Sequence, residues 1–363
     1  MYTLSPGYRV PALQRGLSPA EVLVTKANAL AAGAVLASAV ITPPPPLAFA
    51  VVAAVAALIN IVVGRRSVAR WAAVGVRHLT ERRTTRLPVT RVATRTWTLY
   101  PHHGAMQDPV SREVLHAALA RALTFAGGQA RGAGIQIHIT HHATIGAYTD
   151  HTQTVSVHIP RGLVGHPERV IDTIAAELGS LGSLEEVTPG PAETVKGRTG
   201  GWVALADGRY VATARITAWP DETDGDMMPR LLLGAGTDPA LAGTGRALGV
   251  LYRPLPATQS RRSAMWARAA SGAFVTDSVK ADQQSTVGAT THDALVQGAC
   301  LVDVDAYLTV WADTPEAVIQ ACWDATLTAD RHRMGLDWLT GQQTRAHVMT
   351  TPYGARARKG AVL

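Results

Sequence analysis

The chain has 363 residues, 34 Lys+Arg against 27 Asp+Glu, and only two cysteines. Two thiols exclude a disulfide-stapled scaffold and cannot alone complete a structural zinc site. Residues 1–95 hold a net charge of +10 and the remainder −3, so the basic part suits an anionic lipid surface better than nucleic acid, whose binders usually spread basic charge over the folded body.

Residues 1–21 read as an irregular lead, in which Ser18 and Glu21 form a capping box for the first apolar helix. Two apolar runs, 22–41 and 47–63, contain Lys26 as their only charge and are separated by Pro43, Pro44, Pro45 and Pro46. Each is close to the roughly 17–25 residues of a membrane-spanning helix, and successive prolines stop one helix before the next begins. Arginines crowd behind the second run, so the positive-inside rule places both termini in the cytoplasm. The expectation is a two-helix transmembrane hairpin over 22–66, in the cytoplasmic (inner) membrane. A cleaved signal peptide fits poorly, because a second run and a basic stop come after the first. Ala/Val runs also suit a buried helical hairpin, which stays open as an alternative.

Residues 67–95 form a basic juxtamembrane segment, and Arg65, Arg66, Arg70, Trp71 and Arg77 are the expected headgroup contacts. The folded part is expected to begin near Thr96. Its first subdomain, 96–182, opens with a helix over 111–126 that ends at Gly127 and Gly128. Two alternating strands follow around Ile135, Ile137, Ile139 and Val155, Val157, Ile159, then a helix over 168–181 with Val170, Ile171, Ile174 and Leu178 on one face. Residues 183–200, rich in Gly, Pro and Thr, read as a linker.

The second subdomain, 201–353, starts with a hairpin turning at Asp207-Gly208. A short helix near Met228, a strand over 247–252 and an exposed helix over 257–282 come next. A strand over 301–311, a helix capped by Thr314-Pro315-Glu316 and a short strand near Gly335 complete it, with a basic tail over 354–363. The fold class is α+β: after the hairpin, a cytosolic mixed α/β domain with ferredoxin-like β-α-β layers.

Few residues suggest chemistry. His138 and His158 can face one side of paired strands, and with His141 they offer the three ligands of a divalent-metal site, as in a membrane-anchored hydrolase or sensor. Polar histidines on a solvent face explain them more simply. Asp303 and Asp305 alternate on one strand face and suit a solvated edge. Asp221, Glu222, Asp224 and Asp226 lack the glycine and glutamate positions of a calcium loop. The sequence contains no HEXXH, no GXXXXGK[ST] and no G-x-S-x-G, so no cofactor or catalytic residue is assigned. Arg261, Arg262, Trp266 and Arg268 put basic and aromatic groups on one helix, a candidate partner contact.

The run 211–220 (VATARITAWP), the segments 231–234 (LLLG), 250–256 (VLYRPLP) and 294–298 (ALVQG), the strand 305–310 (DAYLTV), and 335–343 (GLDWLTGQQ) resemble the N-terminal region of conjugation ATPases of type IV secretion. Behind its hairpin the chain looks more closely like an actinobacterial membrane protein family encoded with conjugation or secretion genes. The E component of type VII secretion translocons is similar in plan. The resemblance implies an oligomeric machine component that engages a separate ATPase and sister subunits. No catalytic residue is carried over; the sequence ends at Leu363, where the ATPases' motor would begin, and without a P-loop no ATP hydrolysis is expected.

Overall fold

The computed structural model describes chiefly residues 92–102, 109–129, 134–144, 150–160, 162–188, 193–220, 227–234, 244–262 and 299–352, with isolated positions elsewhere. Most of the hairpin expected over 22–66 lies outside them. Val62–Val63 pairs antiparallel with Arg66–Ser67, so the second apolar run ends in a two-residue ladder rather than in helix. Among the described residues no helix is long and apolar enough to cross a membrane.

The body is a large antiparallel sheet of ten strands with helices, a mixed α+β architecture. Its first unit runs β1 (Val92–Pro101), α1 (Pro109–Gln129), β2 (Gln136–Thr144), β3 (Asp150–Pro160), α2 (Pro167–Leu178) and β4 (Gly182–Val187). A short hairpin of β5 (Val195–Arg198) and β6 (Val203–Leu205) follows. The second unit runs β7 (Tyr210–Ala218), α3 (Met227–Leu233), β8 (Gly245–Pro254), β9 (Val302–Ala312), α4 (Pro315–Arg331) and β10 (Gly335–Trp338), and α5 (Gln343–Val348) comes last.

Strand order is β4-β1-β3-β2 in the first unit and β8-β9-β7-β10 in the second. Both are βαββαβ units with the ferredoxin-like order 4-1-3-2. They join edge to edge through β2 and β8, the second strand of each, paired antiparallel from Gly245 opposite Thr144 to Tyr252 opposite Ile137. Equivalent strands meeting antiparallel define an approximate two-fold axis through the sheet. The expected layers are thus two copies side by side.

Strand periodicity puts Trp97, Leu99, Ile137, Ile139, Val155, Val157 and Ile159 on one face, under α1 and α2. On the same face Leu248, Val250, Ala306, Leu308, Val310, Ala212 and Ala214 lie under α3 and α4. The helices approach closely because their inner stripes are small: Ala118, Ala122 and Ala126 on α1, and Ala321, Ala325 and Ala329 on α4, are buried. Helix α1 continues through Gly127 and Gly128 to Gln129 rather than stopping at the glycines. A Cβ at Gly127 would stand 3.1 Å from the Leu255 carbonyl and 3.2 Å from Cys300 Sγ, so close packing explains that glycine. Two boundaries also differ from expectation. The first strand starts at Val92, inside the expected basic juxtamembrane segment, and the expected linker 183–200 holds most of β4 and all of β5. The hairpin turn is as expected, with Gly208 at φ 96°.

Strands β4 and β5 sit at opposite ends of a nine-strand path. Laid flat, eight inter-strand spacings measure about 38 Å. The link from Val187 to Val195 covers eight residues, and eight extended residues reach at most about 29 Å. The sheet is therefore curled. It curls toward the face opposite α1–α4, where Val348 of α5 packs against Val195, Val203, Leu205 and Val211.

Candidate functional site: the concave polar face

The face opposite the helices is lined by the other half of each strand's residues. From β1 to β9 the register aligns Thr96, Ser156, His138, Leu251 and Asp305 in one row, and Thr98, Thr154, Thr140, Gly249 and Tyr307 in the next. Thr140, Ser156, His138, His158, Thr213, Thr309 and Asp305 are buried. Buried polar groups are stable only when bonded, and most of these are. Thr96 Oγ1 and Ser156 Oγ are 2.9 Å apart, Thr213 Oγ1 and Thr309 Oγ1 2.7 Å, and Thr140 pairs with Thr154.

Residues 339–352 lie across this face as a strap. Gln343 fills a gap in the ladder, where β7 changes partner from β6 to β10. Its side-chain amide accepts from the Thr213 N–H at 2.7 Å and donates to the Thr213 carbonyl at 3.2 Å. Thr350 Oγ1 bonds Thr309 at 2.7 Å, and His138 Nε2 donates to the Met349 carbonyl at 3.0 Å. Leu339, Ala346 and Met349 form an apolar cluster with Leu251 and Tyr307. At the far end His347 Nε2 meets Glu193 Oε2 at 2.6 Å, and Arg209 donates to the same carboxylate at 2.7 Å. Burial opposes ionisation of Glu193, but His347 and Arg209 outweigh it and pull its pKa down to about 2.

Beside the strap lies an ion network. Arg253 Nη2 donates to Asp303 at 2.9 Å and to Asp305 at 2.6 Å, and Arg215 also pairs with Asp305. Asp303 and Asp305 do share a face, but on a central strand rather than a solvated edge. Asp305 is sealed there because two guanidinium groups supply the stabilisation that water would otherwise give.

His138 and His158 share this face with ring centroids 6.1 Å apart, and both are 0% exposed rather than solvated. His158 Nδ1 is 2.9 Å from Thr94 Oγ1. His138 donates from Nε2 to a carbonyl, which leaves Nδ1 as its unprotonated nitrogen; among the described residues, that atom and His158 Nε2 have no hydrogen-bond partner. His141 belongs to the opposite face, where its ring stacks on His151 at 5.5 Å. Residues an odd number apart on a strand point to opposite sides, so His138, His141 and His158 do not converge. Among the described residues no group of three or more His, Cys, Asp or Glu is placed to hold a metal.

Burial pushes the His138 pKa down to about 4 and the His158 pKa to about 3, and also lowers those of His141 and His142 to about 4. Above these values the rings are neutral in the fold, whereas in the unfolded chain they bind protons below about 6.5. The unfolded state therefore holds more protons throughout that interval, and stability falls as pH drops from about 6.5 toward 3. Urea unfolding between pH 7.5 and 4.5 is expected to show a loss of a few kcal/mol, and His138→Asn/His158→Asn is expected to flatten the slope.

The other expected site residues are dispersed. Arg261 and Arg262 are exposed at the end of a short helical stretch, 257–262, beyond β8. Trp266 and Arg268 lie outside the described residues, as do Arg65, Arg70 and Arg77. Arg66 is in the two-residue ladder, and Trp71 is exposed. Sequence reasoning did not find Arg215, Arg253, Gln343 or Met349. The one signal that could have found Gln343 is the amide pair Gln342-Gln343 a few residues after the short strand near Gly335. No family model and no curated sequence matches the chain.

Proposed function

We propose that the chain is a non-enzymatic docking subunit of an inner-membrane apparatus for conjugative DNA transfer or secretion. A translocon component of the type VII E kind belongs to the same class. The N-terminal runs fix the position of the body, which engages a separate ATPase and sister subunits. The observation that supports this reading is the use made of the ionisable groups on the concave face. Arg215, Arg253, Asp303 and Asp305 bind one another, and His138 is tied to the strap. Such an arrangement makes a rigid platform and leaves the outer helix and strand surfaces for contacts.

Affinity purification of the full chain from solubilised membranes, after cross-linking in the cell, tests the proposal. An ATPase and other membrane subunits are the expected companions; recovery of no other protein overturns it. Alkaline phosphatase inserted between Pro43 and Pro46 tests the topology independently. Activity there is expected, and an inactive fusion removes the membrane hairpin.

A further inference from the structure

Helix α4 has 17 residues and turns an Ala stripe inward. Its outer face is unusual for a solvated helix. Ile319, Trp323 and Leu327 are 50%, 63% and 55% exposed, and their spacing of four residues aligns them in one ridge. The other exposed residues of the helix, Glu316, Gln320, Asp330 and Arg331, lie toward its ends or beside the ridge. Exposed apolar side chains scattered singly are ordinary, whereas three in line on one helix mark a contact surface.

The ridge is symmetric about its own centre. Trp323 is the middle residue of the helix, with Ile319 and Leu327 four positions to either side. The charges are not symmetric. The leading end has exposed Asp313 and Glu316, while the trailing end has exposed Arg331 and Arg333 beside Asp330. Two such helices laid antiparallel bring Trp323 against its copy, Ile319 against the partner's Leu327, and the acidic end against the basic one. A parallel pair would oppose like charges and like ends of the helix dipoles.

We infer that α4 is a self-complementary interface through which two copies of this chain pair antiparallel about a two-fold axis. Such an isologous contact uses one patch twice and closes at the dimer. A helix of this length is about 25 Å long, and a strip one helix wide falls well short of the roughly 800 Å² per partner of a stable interface. Association is therefore reversible and concentration-dependent, with the central Trp323 as its anchor. The pairing does not depend on the docking role proposed above.

Sedimentation of the full chain over a concentration series is expected to show a monomer–dimer equilibrium, weakened about tenfold or more by Trp323→Ala. Trp323 points outward, so the melting curve of that variant should match the wild type. Disulfide trapping gives a second measurement in the cell fraction that holds the full chain, with Cys300→Ala/Cys322→Ala as background. A mixture of Ile319→Cys and Leu327→Cys chains should cross-link, while neither does so alone. A chain that stays monomeric at every concentration, a dimer indifferent to Trp323→Ala, or self-linking of Ile319→Cys alone would overturn the inference. Burial of Trp323 in lipid vesicles without chain-to-chain linkage would also overturn it, by assigning the ridge to a membrane.

Discussion

Asp305→Asn is expected to destabilise the fold by about 3–5 kcal/mol, the cost of stranding buried charge whose partner is removed. Asp305 is 1% exposed and bonds two guanidinium groups, Arg215 and Arg253. The amide keeps the shape but removes the charge, leaving Asp303 as the remaining acid of the network. Arg215 is partly open to solvent and can turn toward it; Arg253 is nearly sealed. For a domain of this size the loss lowers the Tm by about 10 °C. Replacing the whole triad, Arg215→Met/Arg253→Met/Asp305→Leu, should recover most of the loss, because a well-packed apolar set often equals a buried ion network. A Tm for Asp305→Asn within a degree of wild type would show that the network is not a buried one.

Gly249→Ala is the second large effect, expected at about 2–4 kcal/mol. A Cβ on Gly249 would stand 2.1 Å from the Met349 carbonyl oxygen and 2.9 Å from His138 Nε2. The nearest atom is backbone, so no side chain can swing aside, and the strap must lift. Lifting it breaks the His138–Met349 bond and opens the cluster of Leu339, Ala346, Met349, Leu251 and Tyr307. Hydrogen exchange at the amides of residues 346–351 should accelerate before global unfolding, and proteases should cut there first. Gly197→Ala is the control, because its added Cβ meets only Ala204 Cβ at 3.8 Å. Equal exchange in both variants would refute the role assigned to Gly249.

Most elements of the described fold are legible in the sequence. Ile135, Ile137 and Ile139 alternate with Gln136 and His138, which marks a strand, and Thr314-Pro315-Glu316 marks the start of α4, where Thr314 Oγ1 accepts from the Ala317 N–H at 3.1 Å. What alternation cannot report is what covers the polar side. Thr, Ser and His satisfy one another across a sheet as readily as they bond water, so a face sealed by a distant strap has the pattern of a solvated one. The ion network is illegible for a related reason. Arg253 and Asp305 meet through the register of β8 against β9, which a 47-residue separation between the strands does not disclose. Repetition of the βαββαβ unit is legible in the order of elements alone, because the two copies use different side chains. Proximity in sequence groups His141 with His138, although an odd spacing on a strand separates the faces.

The strap also sets an order in time. His138 and Met349, which it joins, are 211 residues apart in the chain. At about 5–20 residues per second of synthesis, the imidazole waits on the order of ten to forty seconds for its carbonyl. During that interval the helical side of the first unit can already assemble, because α1, α2 and their strands precede Val187. Its other side stays wet until the strap is made. A nascent chain halted before Leu339 should therefore protect one side of its sheet and leave the other open to water.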